Sequence, residues 1–164
     1  MLKILKYENV KRFFVFLLCF SFLGLSKIST TKANAIVSQP VKIITVGSAV
    51  LVHDYGSSAD WSITNAHMAN TGDTYDLTTN NVYIKDATNG AFYEGYACVD
   101  GESVGYTGRT TSNVYLYSFA TSGTIWTRGF IIRNLASGTH TIQIKYTRLG
   151  TTTMYTDTIY VNVP

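Results

Sequence analysis

Along most of this chain apolar and polar residues alternate one by one, and almost nowhere do apolar residues return every three or four positions. From residue 36 onward the apolar positions form short runs rich in Val, Ile, Thr, Tyr and Phe, each closed by Gly, Asn, Asp or Ser. A period of two carried by β-branched and aromatic residues is the pattern of half-buried antiparallel strands. It predicts strands over residues 41–45, 49–54, 74–78, 81–85, 92–99, 114–119, 124–133, 139–148 and 154–163. The dipeptides Asn89-Gly90, Asp100-Gly101, Ser137-Gly138 and Leu149-Gly150 supply residues that tolerate positive φ where the chain must reverse. The expected fold class is all-β, an antiparallel β-sandwich. Residues 55–73 alternate least and read as a long loop, the kind of segment that often carries function.

The first 35 residues follow a different pattern. Lys3, Lys6, Lys11 and Arg12 precede an uncharged apolar run over residues 13–25, and Ala33-Asn34-Ala35 follows. Basic start, apolar centre and A-x-A end are the order of a secretory signal peptide. As a helix the apolar run would reach only ~20 Å, short of the ~30 Å hydrocarbon core, which disfavours a permanent anchor. Cys19 lies inside this run behind Leu18, a place for a small hydrophobe more than for a lipid attachment. The expected organisation is a cleavable signal helix over residues 1–35 and a single domain over residues 36–164, secreted and extracellular, with no membrane partner after signal removal.

Cleavage reverses the charge. The whole chain carries 13 basic and 10 acidic residues; six of the former and one of the latter (Glu8) precede residue 36, so seven minus nine leaves −2. Nucleic acid is thereby disfavoured as a partner, because phosphate binding needs a basic surface. One cysteine, Cys98, remains, so no intramolecular disulfide is available, and it reads as a buried small hydrophobe.

Catalytic patterns are weak. Gly101-Glu102-Ser103-Val104-Gly105 matches a G-x-S-x-G nucleophile elbow literally, but no helical stripe follows to expose Ser103. His53, Asp54, Asp60 and His67 lack the spacing of zinc ligands. His140 shares the face of Ile142 and Ile144 and is expected to pack and hydrogen-bond inside. Nothing selects two of the carboxylates as a glycosidase pair. No enzyme activity is expected.

Four stretches in the second half resemble a known family. They are Gly95-Tyr96-Ala97-Cys98-Val99-Asp100-Gly101, Val114-Tyr115-Leu116-Tyr117-Ser118, Leu135-Ala136-Ser137-Gly138-Thr139-His140-Thr141-Ile142-Gln143-Ile144 and Asp157-Thr158-Ile159-Tyr160-Val161. In order and spacing they are similar to the galactose-binding-like jelly rolls found as carbohydrate-binding modules and accessory domains of secreted bacterial glycosidases and esterases. The resemblance implies a jelly-roll sandwich and a polysaccharide or surface glycan as partner. It also implies a structural calcium, for which Asp73 and Asp76 beside Gly72 are the nearest carboxylates; the residues themselves call for no cofactor.

The ligand-binding candidates come from the aromatics, because sugar rings stack their C–H faces on Trp or Tyr while hydroxyls seek amides and carboxylates. Trp61, with Asp60 and Asn65 beside it in the expected loop, combines both parts, although a Trp at this place also fits a core lid. If Val114 and Leu116 face the core, Tyr115 and Tyr117 form an external stripe. Trp126 shares parity with Phe130 and Ile132 and is expected in the core. The leading expectation is a secreted, non-catalytic carbohydrate-binding protein; the alternative is a structural or adhesive surface protein that binds other proteins through its sandwich face. Oligomeric state is not legible. N-terminal sequencing of exported protein is expected to begin at Ile36, and a product retaining residues 13–25 would contradict the signal reading.

Overall fold

The computed structural model describes residues 40–164; the signal segment, Cys19 and the cleavage point at Ala35 lie outside the described residues. Ten strands follow one another: β1 Val41–Asp54, β2 Ala59–Met68, β3 Thr74–Asp76, β4 Val82–Asn89, β5 Tyr96–Val99, β6 Glu102–Tyr106, β7 Val114–Ser122, β8 Ile125–Ile132, β9 Gly138–Thr147 and β10 Met154–Val163. They form two five-stranded sheets, ordered β2-β1-β4-β8-β7 and β3-β10-β9-β5-β6. Every pairing is antiparallel except that of β3 with β10, which is parallel. This is an all-β two-sheet sandwich, and no helix occurs among the described residues.

The alternation read from the sequence builds the core directly. Ile142, Ile144 and Tyr146 of β9 and Ile159, Val161 and Val163 of β10 point inward, where they meet Ile43, Val46, Val82, Ile84, Phe130 and Ile132 of the first sheet. Burial of such side chains, at ~1.5–3 kcal/mol each, holds the sheets face to face. The turn chemistry also behaves as expected. Asp100 (φ 51°) and Gly101 (φ 90°) make the two-residue reversal between β5 and β6, the left-handed geometry that suits the strand twist.

Several boundaries differ from the sequence expectation, each for a local reason. The predicted strands 41–45 and 49–54 are one strand, β1, whose register shifts between Ile43 and Thr45 against β4 and between Val46 and Ser48 against β2. These bulges interrupt the period without ending the strand. The predicted long loop over residues 55–73 contains β2. Ala59, Trp61 and Ile63 turn one way while Asp60, Ser62 and Thr64 are exposed, but Asn65 takes a positive φ of 51° and breaks the alternation that would have betrayed the strand. The predicted strand 92–99 shortens to β5, with Phe92 only bridging Arg148. Trp126 is 43% exposed despite its parity, because β8 begins beyond the apolar core, where Phe119 meets the indole edge-on at 5.6 Å.

At that end of the sandwich the interior is polar. Asp86 on β4 and Arg128 on β8 stand directly opposite each other, with Arg128 Nη1 3.5 Å from Asp86 Oδ1. Tyr146, from the other sheet, donates its hydroxyl to the second Asp86 oxygen. It also shares a 2.5 Å hydrogen bond with Thr107 and accepts one of 3.1 Å from Arg128. Its ring lies so close to Gly95 that a Cβ there would sit 2.2 Å from ring carbons, so only glycine admits the tyrosine. A second carboxylate joins the sheets elsewhere: Asp157 accepts the Ile43 backbone N–H at 2.6 Å and the Thr71 hydroxyl at 2.6 Å, next to the register shift that follows Ile43.

Burial raises the Asp86 pKa to about 6, against the opposing pull of Arg128 and the Tyr146 hydroxyl. A folded-state pKa above the unfolded value means that the folded protein holds a proton which the unfolded chain has released, so stability falls as pH rises from about 4 to about 6. Asp86→Asn is expected to remove this slope while leaving the profile above pH 7 parallel to that of the parent. Urea midpoints measured between pH 4 and 8 in both proteins check this, and identical slopes over pH 4–6 would contradict it.

Candidate functional site

The far halves of β1 and β2 run past the core as a two-stranded arm. Ala49 pairs with Ile63, Val50 with Ser62 and Leu51 with Trp61, and the register shifts once more before His53 meets Asp60. One face of the arm covers the outside of the first sheet, where Ala49, Tyr83 and Ile131 are buried and Trp61, Ile63 and Tyr115 pack against them. Tyr115 fixes the arm in place: its hydroxyl donates to the Ala59 carbonyl at 2.9 Å and accepts the Ala59 N–H at 3.2 Å. Because β2 and β7 stand at opposite ends of the strand order, this contact shows how far the first sheet curls at that end.

Between arm and sheet lies a cleft of about 450 Å³ whose lining includes Leu51, Asp54, Trp61, Tyr115, Arg133 and Asn134. Trp61 and Tyr115 form an aromatic wall, with ring centroids 5.9 Å apart. Arg133 is held by its Nη2, which donates to the carbonyls of Thr111 at 2.5 Å and Ser112 at 2.6 Å. The Trp61 Nε1 and Arg133 Nε donors are both buried without a hydrogen-bond partner among the described residues. Unpaired buried donors cost ~1–3 kcal/mol each, and natural proteins keep them rare. Both residues line the cleft, and two such donors beside one cleft mark it out from the rest of the surface.

The residues singled out in the sequence are distributed as follows. Trp61 and Tyr115 come together, though Trp61 stands on a strand and is half-buried rather than raised on a loop. Asp60 alternates to the opposite face, where it accepts the Tyr55 hydroxyl at 3.1 Å. Asn65 occupies the bulge four residues along β2, about 13 Å away at strand spacing, and does not line the cleft. Tyr117 is exposed and meets Tyr83 edge-on at 5.7 Å. The expected tyrosine stripe is therefore split, because the arm covers one ring and leaves the other open. Arg133, Asn81 and Asn134 were not legible as site residues. The one available signal was the cation of Arg133 placed directly after the apolar run of β8.

The other candidates resolve into structural roles. His53 and Asp60 are cross-strand neighbours on the arm, whereas His67 lies by Tyr75 with ring centroids 6.3 Å apart, so the His/Asp set does not converge. Ser103 pairs with Cys98 inside the β5–β6 hairpin and no helix follows it. Cys98 is buried. His140 is mostly buried and spans Asp100 at 2.7 Å and the Ala136 carbonyl at 2.9 Å; the Asp100 carboxylate raises its pKa. Asp73 accepts the Asn70 amide at 3.0 Å and Asp76 accepts the Asn162 amide at 2.7 Å, and no group of three or more metal-ligating side chains gathers among the described residues. No helix among them is long and apolar enough to cross a membrane.

The sequence matches no protein-family model and no curated protein. Among solved structures, a family 123 glycoside hydrolase from Clostridium perfringens, described for glycolipid glycan hydrolysis, is similar over 58% of this chain at 12% identity and a TM-score of 0.33. The matched part of this chain spans 23% of that enzyme's length. Domains 4 and 5 of the S-layer protein SbsC are similar over 76% of this chain and 77% of theirs, at 16% identity and a TM-score of 0.25. Likeness at this level carries no functional argument.

Half-burial against Tyr115 makes Trp61 part lid and part wall. Trp61→Ala is expected to cost about 2–3 kcal/mol, below the ~3–5 kcal/mol of a fully buried aromatic, whereas Trp126→Ala at its exposed position is expected to stay within about 1 kcal/mol. Urea denaturation of the two variants tests the contrast. Equal losses would mean that the arm does not hold the indole in solution.

Proposed function

We propose that this chain is an exported, non-catalytic surface module with a jelly-roll-type sandwich, which engages another protein through the β1–β2 arm. One observation carries the reading. Val50, Val52 and Tyr55 are 41%, 53% and 61% exposed, three large apolar side chains within six positions on an element that projects from the core, set apart from Leu51, which lines the cleft. Isolated exposed apolar residues are ordinary, but a contiguous set on a projecting hairpin is the composition of an interaction surface. The scattered candidate catalytic residues and the sequence signal for export support the same view.

A second reading has its own support: the aromatic wall and polar lining of the cleft suit a saccharide, whose ring stacks while its hydroxyls pair. The two readings use different faces of the arm. Val50 is paired with Ser62 on the face turned away from the cleft, while Leu51 and Trp61 line it.

The test is binding of residues 36–164 to immobilised extracellular proteins and, in parallel, to a glycan array. Saturable binding to a protein that weakens at least about tenfold in Val50→Asp and Val52→Asp supports the arm as the contact, a loss of about 1.4 kcal/mol. Both positions are exposed, so the variants are expected to melt within a few degrees of the parent. Glycan binding with silence on every protein would overturn the arm reading in favour of the cleft.

A further inference from the structure

The two unpaired donors behind the cleft wall specify more than a sugar. We propose that the cleft takes an acidic saccharide, a sugar ring bearing a carboxylate, with the carboxylate directed to Arg133 and Trp61 and the ring against the Trp61–Tyr115 wall. The proposal rests on the saccharide reading of this cleft.

Arg133 is central. The ion pairs among the described residues join Arg109 to Glu94, Arg128 to Asp86 and His140 to Asp100, so Arg133 is balanced only by the carbonyls that hold its Nη2. Its Nε–H and the indole Nε1–H have no acceptor. A carboxylate offers two oxygens and about four lone-pair directions. It is the group that pairs with a guanidinium through short, charge-assisted hydrogen bonds, and a small side-chain rotation that brings either nitrogen to it relieves the cost of leaving that donor unpaired. A neutral hydroxyl can accept from these donors but leaves the charge as it stands.

The rest of the lining fits the remainder of such a ligand. Asp54 borders the cleft and repels a carboxylate placed beside it, with one oxygen accepting the Gly56 N–H at 2.8 Å. The acidic end is therefore seated toward Arg133 and the ring hydroxyls toward Asp54. The cleft volume of about 450 Å³ falls in the range of small-ligand sites and accommodates one or two sugar rings.

Isothermal titration of residues 36–164 with sodium glucuronate, glucose and sodium acetate separates the contributions. Glucuronate is expected to bind at least about tenfold more tightly than glucose or acetate, the worth of one charge-assisted hydrogen bond, and to weaken as salt is raised. Trp61→Phe keeps an aromatic ring and removes the donor; Arg133→Lys keeps the charge and removes Nε–H. Each is expected to lower glucuronate affinity about tenfold while affecting glucose much less, with melting curves confirming that the variants fold. Equal affinity for glucuronate and glucose would overturn the acidic specificity and leave the saccharide reading standing. Absence of binding by either sugar to folded protein would overturn both, and acetate binding as tightly as glucuronate would show that the ring is not recognised.

Discussion

The sandwich depends on a buried polar junction between its sheets. Asp86 and Arg128 belong to the first sheet and Tyr146 to the second, and the three converge with Thr107 where apolar packing stops. Removing a carboxylate and a guanidinium from water costs several kcal/mol per ion, which their attraction offsets only when the remaining hydrogen-bonding capacity is filled. Here the tyrosine fills it from across the interface. An apolar pair would slide to any register that buries equal area, whereas this junction has one arrangement that satisfies its members. The Asp157 clasp on the Ile43 N–H acts in the same way at another point of the interface, with a single backbone donor in place of a charged partner.

With the sheets so fixed, the arm becomes an arrangement of bulges. The shift after Ile43 lies beside the N–H that Asp157 accepts, the shift around Gly47 bends β1 away from the core, and the shift around Val52 sets the end of the hairpin. Glycine eases the close approach at the bend, since a Cβ there would lie 3.0 Å from the Ala66 Cα and the Thr64 oxygen. Past that bend the inward face of the arm no longer meets the second sheet. It meets Tyr83, Ile131 and Tyr115 on the outside of its own sheet, and the space left beneath the hairpin end is the cleft.

The legibility of these features follows from their range. Strands β8, β9 and β10, the first half of β4 and four of the glycines at positive φ were readable because alternation and turn chemistry are local properties of consecutive residues. Strand β2 was not, because Asn65 at positive φ breaks the period near its middle and makes an edge strand resemble a loop. Asp86 and Arg128 each carry the parity of buried neighbours, Val82 and Ile84 in one case and Phe130 and Ile132 in the other. That parity is present in the sequence, but the expected strand stopped at Lys85, short of Asp86, and only the pairing of β4 with β8 shows that the two charges answer each other. Trp61 and Tyr115 were singled out separately and on different grounds; their meeting depends on the curl of a sheet, which has no signature in sequence. Arg133 became visible only when three separate segments were seen to surround it.

The arm also has a mechanical character. β1 is 14 residues long and continuous from the hairpin end to the middle of the sandwich, where it pairs with β4 from Val41 to Ser48. A pull on the arm along its axis would load the ladder between β1 and β4 in shear, so that its hydrogen bonds resist together. A sideways pull would peel β2 from β1 one pair at a time. The same hairpin is therefore stiff in tension and compliant when peeled, and a load applied at its end passes first into β4 through the ladder from Ser48 to Thr45 and then, at Ile43, into the second sheet through Asp157.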